Sequence, residues 1–350
     1  MFMGLVGSEM CIRDRLVNSS SFSKDIKKII LGSCLTQEND QPIWEAILKE
    51  KSDIFIFAGD NVYGDDWKKG GIDKLKKAYL HQKKRIPFES LKETNEIMAI
   101  WDDHDYGKND GGEKFLHKDE SKKLFLQFWE IPHNHQQSLS RGLNYETKRK
   151  SNNLVIQFIF LDVRYFKSNF KPTDKRDAPY KERYIKDFSP KKTMLGNKQW
   201  SWLSEKFNEP ADIRFLISSL QVIAEGHGFE KWGNFPIEKK RLYDLIDISK
   251  VKNLIILSGD RHRAGIYKDQ TEGGKIIYEL TSSSLNLPAG KFFGAKEEPG
   301  PKRLGATFLD ENYGLIEINE NNKISLSIKD INQNTINKIN IPFIEMLPTH

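Results

Sequence analysis

The sequence is poor in cysteine and contains no long apolar segment. Its 350 residues include only two cysteines, Cys11 and Cys34, which allow at most one disulfide and exclude a fold built on a disulfide framework. No run of about 18 apolar residues occurs, so no transmembrane helix is expected. Hydrophobic residues make up 38% of the chain and charged residues 30%, which is enough for a substantial core and a well-solvated surface.

The excess of basic over acidic residues is small. Lys and Arg number 55 against 49 Asp and Glu, giving a formal charge of +6, and the basic residues are scattered along the chain. This pattern favours a solvated basic surface over a surface that binds nucleic acid, so we expect no stable nucleic-acid complex. The basic balance can still attract anionic small molecules over a long range.

The first residues of the chain differ from the rest. Residues 1–15 have neither the long apolar segment nor the small-residue cleavage site of a signal peptide, and they resemble a translated sequencing adapter. We therefore expect 1–26 to be a disordered or artefactual segment. Residues 27–345 show no internal repeat and no interdomain linker, which predicts a single domain, expected to be a monomer.

Four apolar runs, each typical of a buried strand, end in residue types that bind metals. The runs cover 28–31, 53–58, 96–101 and 253–258. A helical pattern that begins near Pro42 lies between the first two, which predicts a β-α-β unit. The alternation of helix and strand patterns predicts an α/β domain in which strands from both halves of the chain form a layered sandwich. In open α/β folds, sites form outside the carboxyl ends of strands.

The ends of these runs provide six candidate metal ligands: Cys34, Asp60, Tyr63, Asp103, Asp260 and His262. The thiol, phenol and imidazole of this set, joined by the Asp60 carboxylate, suit a transition metal such as iron or zinc. The three aspartates form an all-oxygen set that suits calcium, magnesium or manganese. Two cations about 3.5–4 Å apart, bridged by one carboxylate, are a recurrent apparatus for phosphoester hydrolysis.

Each of these residues also has an ordinary structural explanation. A Gly-Asp pair after a strand often forms a turn or a helix cap. A lone cysteine such as Cys34 is often a small buried hydrophobe, and His104 alone can be a hydrogen-bonded loop histidine. The metal site is favoured because the residues recur at equivalent points after apolar runs.

Six motifs, in order between residues 32 and 262, resemble the PhoD-like alkaline phosphatase/phosphodiesterase family, a branch of the calcineurin-like metallophosphoesterases. The motifs are Gly-Ser-Cys at 32–34, Gly-Asp-Asn-Val-Tyr at 59–63, Trp-Asp-Asp-His-Asp at 101–105, Leu-Asp-Val-Arg at 161–164, Ser-Ser-Leu-Gln at 218–221 and Ser-Gly-Asp-Arg-His at 258–262. The superfamily's opening Asp-x-His motif is absent, and Cys34 stands where the PhoD branch places a cysteine. The resemblance implies an α-β-β-α sandwich of two mixed sheets flanked by helices.

The resemblance also implies a metal assignment. Iron would be bound by the thiol, phenol and imidazole set, with Asp60 bridging. Calcium, or alternatively magnesium, manganese or zinc, would be bound by Asp103 and Asp260. Asn109 and Asp110 are further candidates for the second site.

Two catalytic roles follow from the resemblance. His104 would act as a general acid or as a stabiliser of transition-state charge. The planar guanidinium of Arg164 would clamp two phosphate oxygens, with a surface ion pair as the alternative. One loop supplies a candidate pocket wall, with ordinary packing as the alternative: His227, Phe229, Trp232 and Phe235.

The implied function is metal-dependent hydrolysis of small-molecule phosphate esters, monoesters or diesters, by a binuclear centre with a metal-bound hydroxide as nucleophile. The alternatives are a catalytically silent module that binds phosphate ligands and a nuclease-type phosphodiesterase. The family is commonly exported, which implies a periplasmic or extracellular location. No export signal is visible, so the sequence leaves the location unknown.

Overall fold

The computed structural model describes residues 25–65, 71–176, 178–293, 297–319 and 323–342. The strands in these ranges are β1 Lys28–Gly32, β2 Ile54–Ala58, β3 Glu96–Ile100, β4 Tyr145–Ser151, β5 Leu154–Leu161, β6 Lys171–Pro172, β7 Tyr184–Ile185, β8 Ile213–Ser218, β9 Leu254–Ser258, β10 Ala264–Gln270, β11 Ile276–Ser282, β12 Asn312–Asn319, β13 Lys323–Asp330 and β14 Thr335–Pro342. The α-helices are α1 Ile43–Glu50, α2 Asp73–Gln82, α3 Phe88–Thr94, α4 Asp103–Tyr106, α5 Lys118–Phe128, α6 Gln136–Leu139, α7 Gly196–Asn208, α8 Pro236–Ile248 and α9 Ala289–Phe293, and a short 3-10 helix covers Trp232–Asn234.

Two six-stranded mixed sheets form the centre of the fold. The first has the strand order β14-β13-β12-β1-β2-β3, in which β1, β2 and β3 are parallel and β12 to β14 are antiparallel. The second has the order β10-β11-β9-β8-β5-β4, in which the four inner strands are parallel and both edge strands are antiparallel. Strands β6 and β7 form a separate two-stranded sheet.

The strands that lead to the predicted site are apolar because both of their faces are covered. All five residues of β2 and all five of β9 are buried, as expected for parallel strands between two layers. In β8, Phe215 and Ile217 belong to a core shared with the first sheet. Leu216 belongs to a second core, with Trp200 and Leu203 of α7. This order of layers confirms the predicted α-β-β-α sandwich of two mixed sheets.

The start of the described chain is held by the turn between β4 and β5. The Asp25 carboxylate accepts the Asn152 N–H (2.6 Å), and the Ile26 carbonyl accepts the Ser151 hydroxyl (2.8 Å). The rest of the segment 1–26 lies outside the described residues. Among those that are described, no helix has the length and apolarity required to cross a membrane.

Candidate metal centre

The carboxyl ends of parallel strands from both sheets meet at one place, and backbone hydrogen bonds tie them together. Within the first sheet, the Leu35 N–H donates to the Asp60 carbonyl (2.8 Å), which joins the end of β1 to the end of β2. Between the sheets, the Leu285 N–H donates to the Ser33 carbonyl (2.9 Å), which joins the loop after β11 to the end of β1. The predicted ligands are therefore carried on connected loops.

Four of the six predicted ligands have left-handed backbone conformations. Their φ angles are 55° at Cys34, 51° at Asp60, 68° at Asp260 and 55° at His262. Residues other than glycine adopt such angles at a cost of about 1–3 kcal/mol each, and strain of this kind clusters at functional sites. Position 59, where φ is 104°, has no room for a side chain. A Cβ added there would lie 2.6 Å from the Cβ of Asp102, so glycine is required.

The thiol, phenol and imidazole predicted to bind one metal lie together around a carboxylate. The Cys34 Sγ is 3.5 Å from Asp60 Oδ2, and the Tyr63 hydroxyl is 3.3 Å from the same oxygen and 3.5 Å from His262 Nε2. Burial raises the pKa of the Cys34 thiol to about 11 and raises that of the Tyr63 phenol well above its usual range. A cation would reverse this balance, because it stabilises the thiolate and the phenolate.

His262 is oriented to present its lone pair to this set. Its Nδ1 donates to the Leu287 carbonyl (2.6 Å), so the lone pair lies on Nε2, on the side of Tyr63. Burial lowers the pKa of His262 to about 4, which keeps the ring neutral. Ser283, which the sequence gave no reason to select, accepts the His262 N–H (2.7 Å) and lies 3.0 Å from Cys34 Sγ.

The oxygen donors form a second set beside the first. Ligand atoms of Asp102, Asp103 and Asp260 lie within 4.8 Å of one another, as do those of Asp60, Asp103 and His104 and those of Cys34, Asp60 and His262. Asp60 therefore belongs to groups on both sides. Among the described residues, the buried oxygens Asp102 Oδ2 and Asp103 Oδ1 have no hydrogen-bond partner. A buried carboxylate oxygen without a donor is costly unless a cation binds it, so the donors fit metal ions.

The crowding of carboxylates changes their ionisation. Burial, followed by the charges of Asp103 and Cys34, raises the pKa of Asp60 well above its usual range. Burial and the charges of Asp102 and Glu230 do the same for the pKa of Asp260. Cations would restore the ionised forms, so binding of metal would release protons.

Arg164 lies beneath the carboxylates. Its side chain is fully buried, Nε donates to Asp102 Oδ1 (2.5 Å) and Nη1 donates to Glu230 Oε2 (2.6 Å). Its Nη2 is 3.8 Å from Asp103 Oδ1 and 4.0 Å from Asp260 Oδ1. Acidic side chains enclose the guanidinium, and its Nη2 has no hydrogen-bond partner among the described residues. Glu230, from a loop 66 residues away, was not foreseen.

Replacing Arg164 by Met is expected to destabilise the metal-free protein by about 3–5 kcal/mol, because removal of one partner leaves buried carboxylates uncompensated. The measurement is the free energy of unfolding in urea with a chelator present. Arg149→Met is the matched control, because the side chains of Arg149 and its partner Glu96 are 30% and 26% exposed. The control should cost under about 1 kcal/mol. Equal stabilities of the two variants would contradict the role given to Arg164.

His104 faces the centre and has its own carboxylate partner. Its Nδ1 is 2.5 Å from Asp65 Oδ1, its backbone N–H donates to Asp60 Oδ1 (3.2 Å), and its ring lies 4.2 Å from that of Tyr63. Burial opposes protonation, but the charge of Asp103 and the hydrogen bond to Asp65 outweigh it and raise the pKa of His104 to about 9. In the metal-free protein these interactions favour the protonated ring at neutral pH. Asp65 gave no sequence signal, since it follows no apolar run.

A cavity of about 450 Å³ opens above the centre. Five predicted ligands and one predicted catalytic residue line it: Asp60, Tyr63, Asp103, Asp260, His262 and His104. Its other walls include Asn109, Asp110, Arg183, Phe229 and Arg261. Of the aromatic loop, Phe229 lines the cavity. His227, Trp232 and Phe235 are buried instead, and the Trp232 indole donates to Ser218 Oγ (3.0 Å).

The two mixed sheets, with the predicted ligands at the ends of their parallel strands, define a metallophosphoesterase-like fold. A solved structure of PhoD superposes with a TM-score of 0.66 at 16% sequence identity, covering 87% of this chain and 65% of that chain. The purple acid phosphatase PPD1 from yellow lupin (Lupinus luteus) seeds superposes with a TM-score of 0.56 at 12% identity, covering 91% of this chain and 54% of that chain. Both likenesses concern the fold.

The model of the PhoD-like phosphatase family matches residues 150–330. The chain belongs to the PhoD-like phosphatase family, which confirms the resemblance seen in its motifs. Alkaline phosphatase D of Bacillus subtilis (strain 168) is 22% identical over 225 residues, which cover 57% of this chain and 34% of that protein. The match therefore spans about a third of this curated relative.

Proposed function

We propose that this chain hydrolyses phosphate esters with two cations held at the strand ends. The observation that carries the proposal is the position of the Asp60 carboxylate at the wall of the cavity. It lies within 4.8 Å of the ligand atoms of Cys34 and His262 in one group and of those of Asp103 and His104 in another. Membership of the PhoD-like phosphatase family supports the reaction class. The volume of the cavity, about 450 Å³, suits a small-molecule phosphate ester.

The chemistry of the donors supports a different metal at each of the two sites. Cys34, Tyr63 and His262 would hold iron, because thiolate, phenolate and imidazole suit a transition metal. Asp103 and Asp260 would hold calcium, with magnesium, manganese or zinc as alternatives, because their oxygens are hard donors. When bound, such cations would offset the charge of a phosphate and lower the pKa of water, so that hydroxide is available near neutral pH to attack phosphorus.

The side chains around the cations would then act on the ester itself. His104 lines the cavity and has a raised pKa in the metal-free protein, and it would donate a proton to the leaving oxygen or stabilise the charge that develops there. Asp65 would fix the orientation of the ring through Nδ1. Arg164 would hold Asp102 and Glu230 in place and reduce the repulsion among the carboxylates.

The test combines a metal count with two assays. Elemental analysis of the purified chain should find two cations per chain, and the protein should hydrolyse p-nitrophenyl phosphate, its bis ester or both when iron and calcium are supplied. Chelation should abolish the activity, and restored cations should recover it. A metal-loaded protein that binds phosphate but hydrolyses neither ester would instead support the silent binding module.

A further inference from the structure

A groove of about 820 Å³ adjoins the metal cavity. The two share three wall residues, Asn109, Asp110 and Arg183, so they lie side by side. The remaining walls of the groove come from the segment 108–117, which follows α4, and from residues 169–184 around β6 and β7. A molecule bound at the predicted metal centre would have to pass these three side chains to reach the groove.

The groove is basic, in contrast to the metal cavity. Its lining includes Lys108, Lys114, Arg176 and Arg183 against one carboxylate, that of Asp110. Arg183 Nη1 donates to both oxygens of that carboxylate (3.1 and 3.0 Å), which neutralises it. The other three cations form no ion pair within the part of the chain that the structure describes. A groove with three basic side chains that have no acidic partner among the described residues is complementary to an anion.

The groove also has an apolar part. Phe115 and Phe170 line it, and Leu116 lines it while remaining 88% exposed. An uncharged segment of a ligand can pack against these side chains while its charged groups reach the cations. The two cavities therefore offer two positions for anions, one at the predicted metal centre and one in the groove, and the groove adds apolar side chains beside its cations.

We propose that the groove is a subsite for a second phosphate, so that the preferred substrate is an ester that carries one phosphate at the metal centre and another further along the same molecule. This inference rests on the proposed function and specifies its substrate class. The groove cations would bind the second phosphate without taking part in cleavage of the first. We expect the second phosphate to tighten binding about tenfold, which corresponds to about 1.4 kcal/mol.

The first arm of the test measures binding to the full chain loaded with iron and calcium. Isothermal titration calorimetry compares thymidine 5′-phosphate with thymidine 3′,5′-bisphosphate, which differ by one phosphate. The unaltered protein should bind the bisphosphate about tenfold more tightly, and added salt should reduce the preference. The double variant Lys114→Gln/Arg176→Gln should reduce it to about twofold. Lys198→Gln/Lys252→Gln removes the same charge from exposed positions and should keep the tenfold preference.

The second arm measures turnover. Release of p-nitrophenolate from thymidine 5′-(p-nitrophenyl phosphate) is compared with release from the same ester carrying a 3′-phosphate, as the ratio of the two kcat/KM values. A nucleoside-free pair, p-nitrophenyl propyl phosphate with and without a terminal phosphate on the propyl group, is run in parallel. A preference in both pairs assigns the groove to the phosphate alone. A preference only in the thymidine pair assigns it to nucleotide chains, still with a second phosphate in the groove.

The outcomes separate the two proposals. Equal affinities for the two thymidine phosphates, or a preference that survives Lys114→Gln/Arg176→Gln, would overturn the subsite and leave hydrolysis standing. A tenfold preference in binding without release of p-nitrophenolate would overturn hydrolysis and leave the subsite standing.

Discussion

The variant Asp60→Asn is expected to lose phosphoesterase activity by at least about a thousandfold, or about 4 kcal/mol of transition-state stabilisation, and to be purified without its cations. The carboxylate places Oδ2 3.5 Å from Cys34 Sγ and 3.3 Å from the Tyr63 hydroxyl, and its Oδ1 accepts the His104 N–H. An amide has no charge and only one acceptor oxygen. It therefore cannot bridge two cations.

The metal-free fold should not suffer from the same change. Burial and neighbouring charges raise the pKa of Asp60 well above its usual range, so the charged form is disfavoured when no cation is present. A neutral amide of the same shape removes that repulsion. Unfolding by urea in the presence of a chelator should therefore show a stability equal to or above that of the unaltered protein, which distinguishes loss of the centre from misfolding.

Asp162→Asn is the matched control for Asp60→Asn. Asp162 is fully buried nearby, but its Oδ1 accepts hydrogen bonds from the Trp101 indole (3.0 Å) and from the backbone N–H groups of Arg164 and Tyr165 (both 2.9 Å). The control should lose stability and keep its cations. Asp60→Asn with two bound cations and near-normal turnover would refute the bridging role.

The variant His104→Ala should keep both cations and lose about 10²–10⁴-fold in kcat, the usual contribution of a general acid. The ring lines the cavity, and in the metal-free protein the structure gives it a raised pKa, near 9, which favours the protonated ring at neutral pH. Metal content is measured together with kcat. If the variant loses a cation instead, His104 is a ligand, since its ring also lies within 4.8 Å of the Asp60 and Asp103 oxygens.

Asp65→Asn provides a graded comparison, because it keeps the ring and removes its charged partner. Asp65 raises the pKa of His104, so its removal should lower that pKa. The alkaline side of the pH–kcat profile should then move to lower pH, with a smaller loss at neutral pH than in His104→Ala. A profile that does not move would show that Asp65 acts only on structure.

The proximity of the predicted ligands in the folded chain could be predicted from the sequence because its signal is local. A buried parallel strand must be apolar throughout, and the first polar residue after it lies at the edge of the sheet where sites form. Cys34, Asp60 and Asp260 each follow such a strand by two residues. The layered fold followed from the same strands together with the helical patterns between them.

The supporting residues could not be predicted because their positions depend on tertiary structure. Glu230 and Asp65 lie on loops without periodicity, and only the folded chain brings them to Arg164 and His104. Arg164 itself shows the limit of the strand-end signal. The motif indicates that Arg164 reaches the site. Its burial, however, depends on the ion pairs with Asp102 and Glu230, which hold the guanidinium beneath the predicted ligands.

The backbone is left-handed at four predicted ligands, Cys34, Asp60, Asp260 and His262. At these positions the stability of the fold competes with the proposed binding of metal. Glycine would relax the main chain at every one of these positions, and each such change would delete a donor. Selection of variants for thermal stability alone should therefore enrich glycine at these four positions. The selected proteins should unfold at higher temperatures and should not bind the proposed cations.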